Sequence, residues 1–387
     1  MKLSYSRMIL TFLGYIFCFS KMTYINNRFV DAKSNFDIEK QLKIINKHDV
    51  EMVKTVHGDT YGCVDFYKQP SFDNMLMKNK VFHYNTLSQQ SKVTNDTLGV
   101  LWENGIGCPV GTVPIRRVTK KELLRLNLFS TKYKPQGSWN FHYNLDNGQQ
   151  HHFAVSRTKG GKNKNYNGAT MKISLNDPKV KLPQFSSARM HLQIGDDFIQ
   201  AGWIVNPKLY GDNKTRCFVY TKTSKNQCYN SMCQAGIISV RSDLPLGSVL
   251  EPVCVRGSNP SVSAAVSLYK DKVNGNWWLD FGDKTLGFWP ASRFKQNYAN
   301  NIEWGGEVYS AFMPSPQMGN GYFPIQHPLY NAIIYNMTTT NEKFEISEWV
   351  NNTEAFSDNT RGYKVIDDIY SEYPFRHIIY FGGPGKI

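Results

Sequence analysis

The sequence predicts a mainly β protein with a smaller mixed α/β unit in front of it. Aromatic residues make up 14% of the 387 positions, with 22 Tyr, 23 Phe and 8 Trp, and such side chains suit the half-buried surface of a strand. The 29 Gly and 17 Pro cut the chain into short runs of strand length. The chain also changes character near residue 137. Helical periodicity and a Gly/Pro-rich stretch lie before it, and closely spaced strand-like runs follow. Many short strands with regular turn signals indicate a sandwich or a barrel, and the length is enough for two units.

In chain order, the N-terminus reads as a secretory signal peptide over residues 1–20. Lys2 and Arg7 precede an apolar run from Met8 to Phe19, and small residues precede a cut after Ser20. The run is too short for a membrane span, so no stable membrane anchor is expected. Phe36, Ile38, Leu42 and Ile45 then form the apolar stripe of a helix over Phe36 to Lys47. A compact segment, Val56 to Asn104, follows. The Gly/Pro-rich, dibasic stretch from Gly105 to Arg117 reads as a tether leading into a short charged helix, Lys120 to Leu126. Beyond residue 150, strands are expected at His151–Ser156, Met171–Leu175, Ser186–Gln193, Phe198–Val205, Cys217–Thr221, Ile237–Val240, Ser263–Tyr269, Trp277–Phe281, Leu286–Trp289, Glu303–Tyr309, Ala332–Tyr335 and Ile378–Phe381.

The formal charge is +14, which attracts polyanions in general. It is spread along the chain, so nucleic acid is not expected as a partner. Without Cys18 six cysteines remain, an even number suited to an oxidising compartment. They allow 15 connectivities. Cys228 and Cys233 are near neighbours, and Cys63 and Cys108 are the two of the N-terminal third, which leaves Cys217 with Cys254. Free buried thiols are the alternative. No pair has CxxC spacing and His151-His152 has no partner set, so neither metal nor cofactor is expected. Asn95, Asn213, Asn336 and Asn351 are glycosylation acceptors by motif.

One heptad has the residue types of acid/base chemistry: Ile302-Glu303-Trp304-Gly305-Gly306-Glu307-Val308. In a strand, positions 303, 305 and 307 share one face. Two carboxylates then flank a glycine that leaves the floor open to a substrate backbone. Solvated glutamates on an edge strand are the alternative.

Cys63-Val64-Asp65-Phe66-Tyr67-Lys68-Gln69-Pro70 resembles the activation-peptide signature of the neprosin family, secreted proteins mostly of plants. Gly107-Cys108-Pro109, Gln200-Ala201-Gly202-Trp203, Tyr210-Gly211-Asp212-Asn213, Gly275-Asn276-Trp277-Trp278, Phe288-Trp289-Pro290-Ala291, the acidic heptad and Tyr380-Phe381-Gly382-Gly383-Pro384-Gly385 are similar to that family in the same order. The resemblance implies a propeptide over residues 21–117, a linker or processing region over 118–150, and an antiparallel β-sandwich peptidase over 151–387. It implies a zymogen activated by acid and self-cleavage, with its propeptide as inhibitor and a proline-containing peptide as substrate. The implied chemistry is that of two glutamates facing each other across a sheet. One belongs to the acidic heptad, where Glu307 is favoured over Glu303. The other falls at Gln200, which cannot take a proton but can donate to an oxyanion. Trp203, Tyr210, Trp304 and Gly305 are candidate substrate contacts, with a core role as the alternative for the tryptophans. Cys217 and Cys254 are extra to the usual pattern. The competing expectation is an inactive extracellular sandwich that binds acidic cell-wall polysaccharide or protein.

Overall fold

A computed structural model describes residues 36–73, 101–127, 133–140, 150–159, 164–224, 226–258, 262–369 and 375–387. The expected signal peptide and Asn95 lie outside them.

The N-terminal unit opens with helix α1 over residues 36–45. A three-stranded antiparallel sheet follows, with β1 (Asp49–Lys54), β2 (Thr60–Asp65) and β3 (Thr112–Arg116) in that spatial order. The Cys63–Cys108 disulfide ties β2 to the segment that leads into β3. Helix α2 (Lys120–Asn127) comes next. Thr119 and Glu122 cap it reciprocally, the Thr119 backbone donating to Glu122 at 2.7 Å and the Glu122 backbone to Thr119 Oγ1 at 3.2 Å. Ile38 and Ile45 of α1 bury against Val118 and Leu123. The dibasic pair is not an open tether. Arg116 ends β3 and pairs with Glu122 at 2.8 Å, and Arg117 pairs with Asp49 at 2.7 Å.

The larger unit is two packed antiparallel sheets. Its elements are β4 (Gln150–Thr158), β5 (Tyr166–Ser174), β6 (Phe185–Ile194), β7 (Asp197–Val205), α3 (Pro207–Tyr210), β8 (Arg216–Lys222), β9 (Gln227–Tyr229), β10 (Ile238–Ser239) and β11 (Ser263–Lys270). They continue with β12 (Trp277–Phe281), β13 (Lys284–Trp289), β14 (Asn301–Ser310), β15 (Ala332–Asn341), β16 (Ile346–Ser347), β17 (Thr353–Ser357), β18 (Lys364–Asp368) and β19 (Ile378–Gly382). One sheet runs β10-β13-β12-β11-β5-β15-β19-β18, with β16 beside β15. The other runs β17-β4-β14-β6-β7-β8-β9.

Alternation along the central strands builds the core. Ala188, Met190, Leu192 and Ile194 of β6, Ile199, Ala201 and Trp203 of β7, and Ile302, Trp304 and Val308 of β14 meet Met171, Ile173, Val266, Leu268, Trp277 and Leu279 of the facing sheet. The Trp203 indole donates to the Ser174 carbonyl at 2.8 Å inside this layer. Trp203 and Trp304 are therefore core residues and do not contact a substrate, which corrects both expectations.

The two units share buried surface. Val64, Phe66, Val113 and Ile115 of the N-terminal sheet form one cluster with Ile238, Val240 and Phe288. Gln69 works as an extra strand residue. Its amide donates to the Ser239 carbonyl at 2.9 Å and accepts from the Ser239 N–H at 2.8 Å. The conspicuous 63–70 motif is thus a docking surface.

Two disulfides form among the described residues, Cys63–Cys108 and Cys228–Cys233. Cys217 and Cys254 are not joined by a disulfide among the described residues, contrary to the expected third bridge. Cys217 belongs to β8 and packs into the sandwich core. Cys254 follows β10 in irregular chain and turns its sulfur to the Val262 carbonyl. Asn213 and Asn351 are exposed, whereas Asn336 is half-buried in β15.

Candidate active site

Glu303, Gly305 and Glu307 do share one face of β14, opposite the core face. Both carboxylates are fully buried. The strand register explains what surrounds them. On β6, Arg189 lies directly across from Gly305, and on β7, Gly202 lies across from Arg189. Two residues without side chains thus flank the arginine on the sheet floor, and its guanidinium reaches both acids. Nη2 donates to Glu303 Oε1 and Nε to Glu307 Oε2 at 3.3 Å.

Gln200 stands on the same face, in the cross-strand row Glu303–His191–Gln200. Its Nε2 lies 3.0 Å from His191 Nδ1 and 3.3 Å from Glu307 Oε2. The His191 tautomer follows from its other partner. Nε2 faces the Gln193 side-chain oxygen at 2.9 Å, so it carries the hydrogen and Nδ1 presents a lone pair. Burial lowers the His191 pKa and so favours the neutral ring. The Gln200 amide must then turn its NH₂ toward the imidazole and the carboxylate. Its Oε1 finds no partner among the described residues.

Burial raises the Glu307 pKa, but the His151 hydrogen bond at 3.0 Å, the Arg189 charge and a backbone N–H outweigh it. The net effect is a value below the ordinary 4.5. Glu307 is therefore held in its charged, carboxylate form.

That backbone N–H comes from outside the sandwich. Residues 133–140 cross the face as a strap. Gln136 donates its N–H to Glu307 Oε1 at 2.9 Å and accepts from Gln200 Nε2 through its carbonyl at 3.0 Å. Ser138 then pins Glu303, donating its N–H at 3.1 Å and its hydroxyl at 2.5 Å to Oε2. Upstream, the Tyr133 ring fills an aromatic box beside Phe185 and Tyr309, with centroids at 5.5 and 5.1 Å. Its hydroxyl donates to Asn206, and Lys208 Nζ lies 4.1 Å from its ring centre. Gly137 is required where the strap is closest, since a Cβ there would lie 2.9 Å from the His191 ring.

The sequence-predicted pair Gln200 and Glu307 meets, with Glu303 and Gly305 beside it. Tyr210 does not join them. Its ring is stacked against Arg216 and Arg116 at the seam with the N-terminal unit, which corrects its assignment as a substrate contact. Arg189, His191, His151 and the strap were missed. The available signal was the polar set Ser187, Arg189, His191 and Gln193, alternating with apolar residues along β6.

The profile described as Neprosin matches residues 182–384, more than half of the chain, and that described as Neprosin activation peptide matches 52–157. The chain belongs to the neprosin family. Among solved structures, this neprosin resembles scytalido-glutamic peptidase bound to a transition-state analogue inhibitor. The identity is 7%, over 61% of this chain and 98% of that one, with a TM-score of 0.37. It also resembles SCP-B, an eqolisin-family peptidase in complex with the tripeptide Ala-Ile-His, at 7% identity over the same shares with a TM-score of 0.33. The Caenorhabditis elegans galectin LEC-6 matches at 8% identity over 41% of this chain and 90% of its own, with a TM-score of 0.22.

Proposed function

We propose that this neprosin is the zymogen of a secreted endopeptidase of glutamic type acting at proline. Gln200 and Glu307 form the pair and residues 133–140 form the inhibitor. The observation that carries the reading is a peptide carbonyl, that of Gln136, held 3.0 Å from the Gln200 amide while the same residue touches Glu307. A substrate carbonyl in that position is polarised by Gln200. Glu307 takes a proton from the water that attacks it, and Gln200 donates to the oxyanion that develops. Glu307 then hands the proton to the leaving nitrogen. Arg189 fixes the orientation of Glu307, and Glu303 holds the chain two residues beyond the reacting carbonyl.

Two disulfides support an extracellular setting, the cell wall or apoplast. The test is expression of the full proprotein, acidification to about pH 3 and assay on a proline-containing peptide, within the acid range set by ordinary carboxyl pKa values. Glu307→Gln should lower kcat by a factor of roughly 10²–10⁴. Glu303→Gln should act mainly on KM. A wild type silent from about pH 2.5 to 6, yet retained on pectin in a salt-sensitive way, would favour the inactive polyanion binder.

A further inference from the structure

The face that carries the pair continues past it, and the strap fills that continuation with one side chain, Tyr133. We infer that the sandwich holds a second recognition pocket there, which takes a tyrosine of the substrate three residues ahead of the one whose carbonyl rests on Gln200. This rests on the peptidase reading above and adds a requirement that is separate from proline.

The pocket grows out of the strand register. Positions 303, 305, 307 and 309 share one face of β14, so Tyr309 follows Glu307 on the face of the pair. Tyr309 lies across from Phe185 of β6, and their rings stack with centroids 6.0 Å apart. His151, which binds Glu307, sets its ring 5.0 Å from that of Tyr309 and closes the side toward the pair. Past the end of β7, Asn206 caps α3 by accepting the Leu209 N–H at 3.0 Å. The same side-chain oxygen accepts the Tyr133 hydroxyl. Lys208 of α3 brings its ammonium 4.1 Å from the centre of the Tyr133 ring.

Each wall asks for a different property. Phe185 and Tyr309 meet the Tyr133 ring edge to face, at 88° and 83°, a geometry that favours an aromatic occupant over an aliphatic one. The ammonium favours the electron-rich face of a ring. Burial lowers the Lys208 pKa to about 8, so the side chain is charged throughout the acid range. Asn206, fully buried, adds an acceptor that a phenol can use and a phenyl ring cannot. None of these walls is part of the strap. A substrate chain laid along the same path meets them in the place of Tyr133.

The test uses a proline-containing reporter peptide that the acid-treated full-length protein cuts, its broken bond identified by mass. Tyr, Phe, Leu or Ala is placed three residues ahead of the residue that supplies the attacked carbonyl. Tyr should raise kcat/KM roughly 10–10²-fold above Ala, and about 3–10-fold above Phe for the hydroxyl. Moving Tyr one place nearer the cut should remove the gain, because the pocket stands at a fixed distance from the pair. Lys208→Met should narrow the Tyr-to-Ala ratio by about threefold or more, and Lys208→Arg should keep it. A ratio cancels any general loss of active protein in a variant. Tyr, Leu and Ala reporters cut within twofold of one another would overturn the inference and show that the pocket only anchors the strap, while the peptidase reading stands. An equal gain with Tyr in the nearer place would overturn it as well. If no reporter is cut, the peptidase reading falls and takes the pocket's role with it.

Discussion

At position 200, an amide faces an imidazole lone pair, a peptide carbonyl and a carboxylate, all of them acceptors. A carboxyl group could serve there only while protonated. Gln200→Glu should therefore make the pair share a proton, because two carboxylates so close cannot both ionise and one pKa rises. The working form would be lost as pH rises through that value. In kcat/KM profiles the variant should gain a descending limb above about pH 5. The wild type has no proton to lose at position 200 and should lack it. Matching profiles would mean that Gln200 is not part of the pair. The three residues legible in the sequence, Gln200, Glu303 and Glu307, stood in short motifs of unusual composition. Arg189, His191 and His151 were not legible, because their roles come from register between strands far apart in the chain. Alternation alone reads the polar residues of β6 as a solvent face, yet all ten positions of that strand are buried. Trp203 and Trp304 failed for the converse reason: the motifs that carry them are conspicuous, but the pleat turns them into the sandwich.

Among the elements, the proposed latency rests on the strap. Its Gln136 N–H favours the charged form of Glu307, whose pKa is below the ordinary 4.5. The sign follows directly. The strap's hold is fully present above about pH 4.5 and is lost as pH falls through the depressed value. Weakening the strap elsewhere should move activation to higher pH. Tyr133→Ala removes a buried ring at a cost of about 3 kcal/mol, and Gly137→Ala drives a methyl against His191. Both should raise the midpoint of acid activation by about one pH unit or more, since each unit corresponds to about 1.4 kcal/mol. An unchanged midpoint for both would show that the strap does not restrain the enzyme. Sequence periodicity located helices α1 and α2 and most strands, but it could not separate a strap from a linker. Residues 133–140 have no period of their own, and their conformation is imposed by the face they cover. The dibasic 116–117 pair misled for a similar reason, since its charges are satisfied by Glu122 and Asp49, which local patterning does not connect to it. The third bridge failed because pairing by elimination takes no account of where β8 and the chain after β10 lie.

At the scale of the whole molecule, the proposed zymogen requires the N-terminal unit to hold at neutral pH and let go in acid. Its apolar contact with the sandwich, Val64 and Phe66 against Ile238 and Phe288, does not titrate. Beside it, a cavity of about 400 Å³ lined by residues of both units, Val56, Trp102, Cys217 and Phe281 among them, leaves the seam incompletely packed. The titrating contact is Arg216, which is 1% exposed. It is held by Asp212 of its own unit at 2.6 Å and by Asp59 of the N-terminal unit at 2.7 Å. Burial raises the Asp212 pKa, but the bonds to Arg216 more than offset it and hold the carboxyl below the ordinary 3.8. Its stabilising effect is therefore complete above that pH and fades as acid protonates it, leaving Asp59 as the remaining charged partner of the buried guanidinium. Asp59→Ala should mimic that loss from one side. Breaking a buried pair costs about 3 kcal/mol, so self-processing should begin at higher pH. Asp49→Ala, which breaks a pair confined to the N-terminal unit, should cost less than about 1 kcal/mol and leave the midpoint in place. In a Glu307→Gln background, which removes the proposed base, hydrogen exchange of the β2 amides against pH reads release alone. There, Asp59→Ala should lose protection at higher pH than the parent. Identical curves would mean that the latch lies elsewhere.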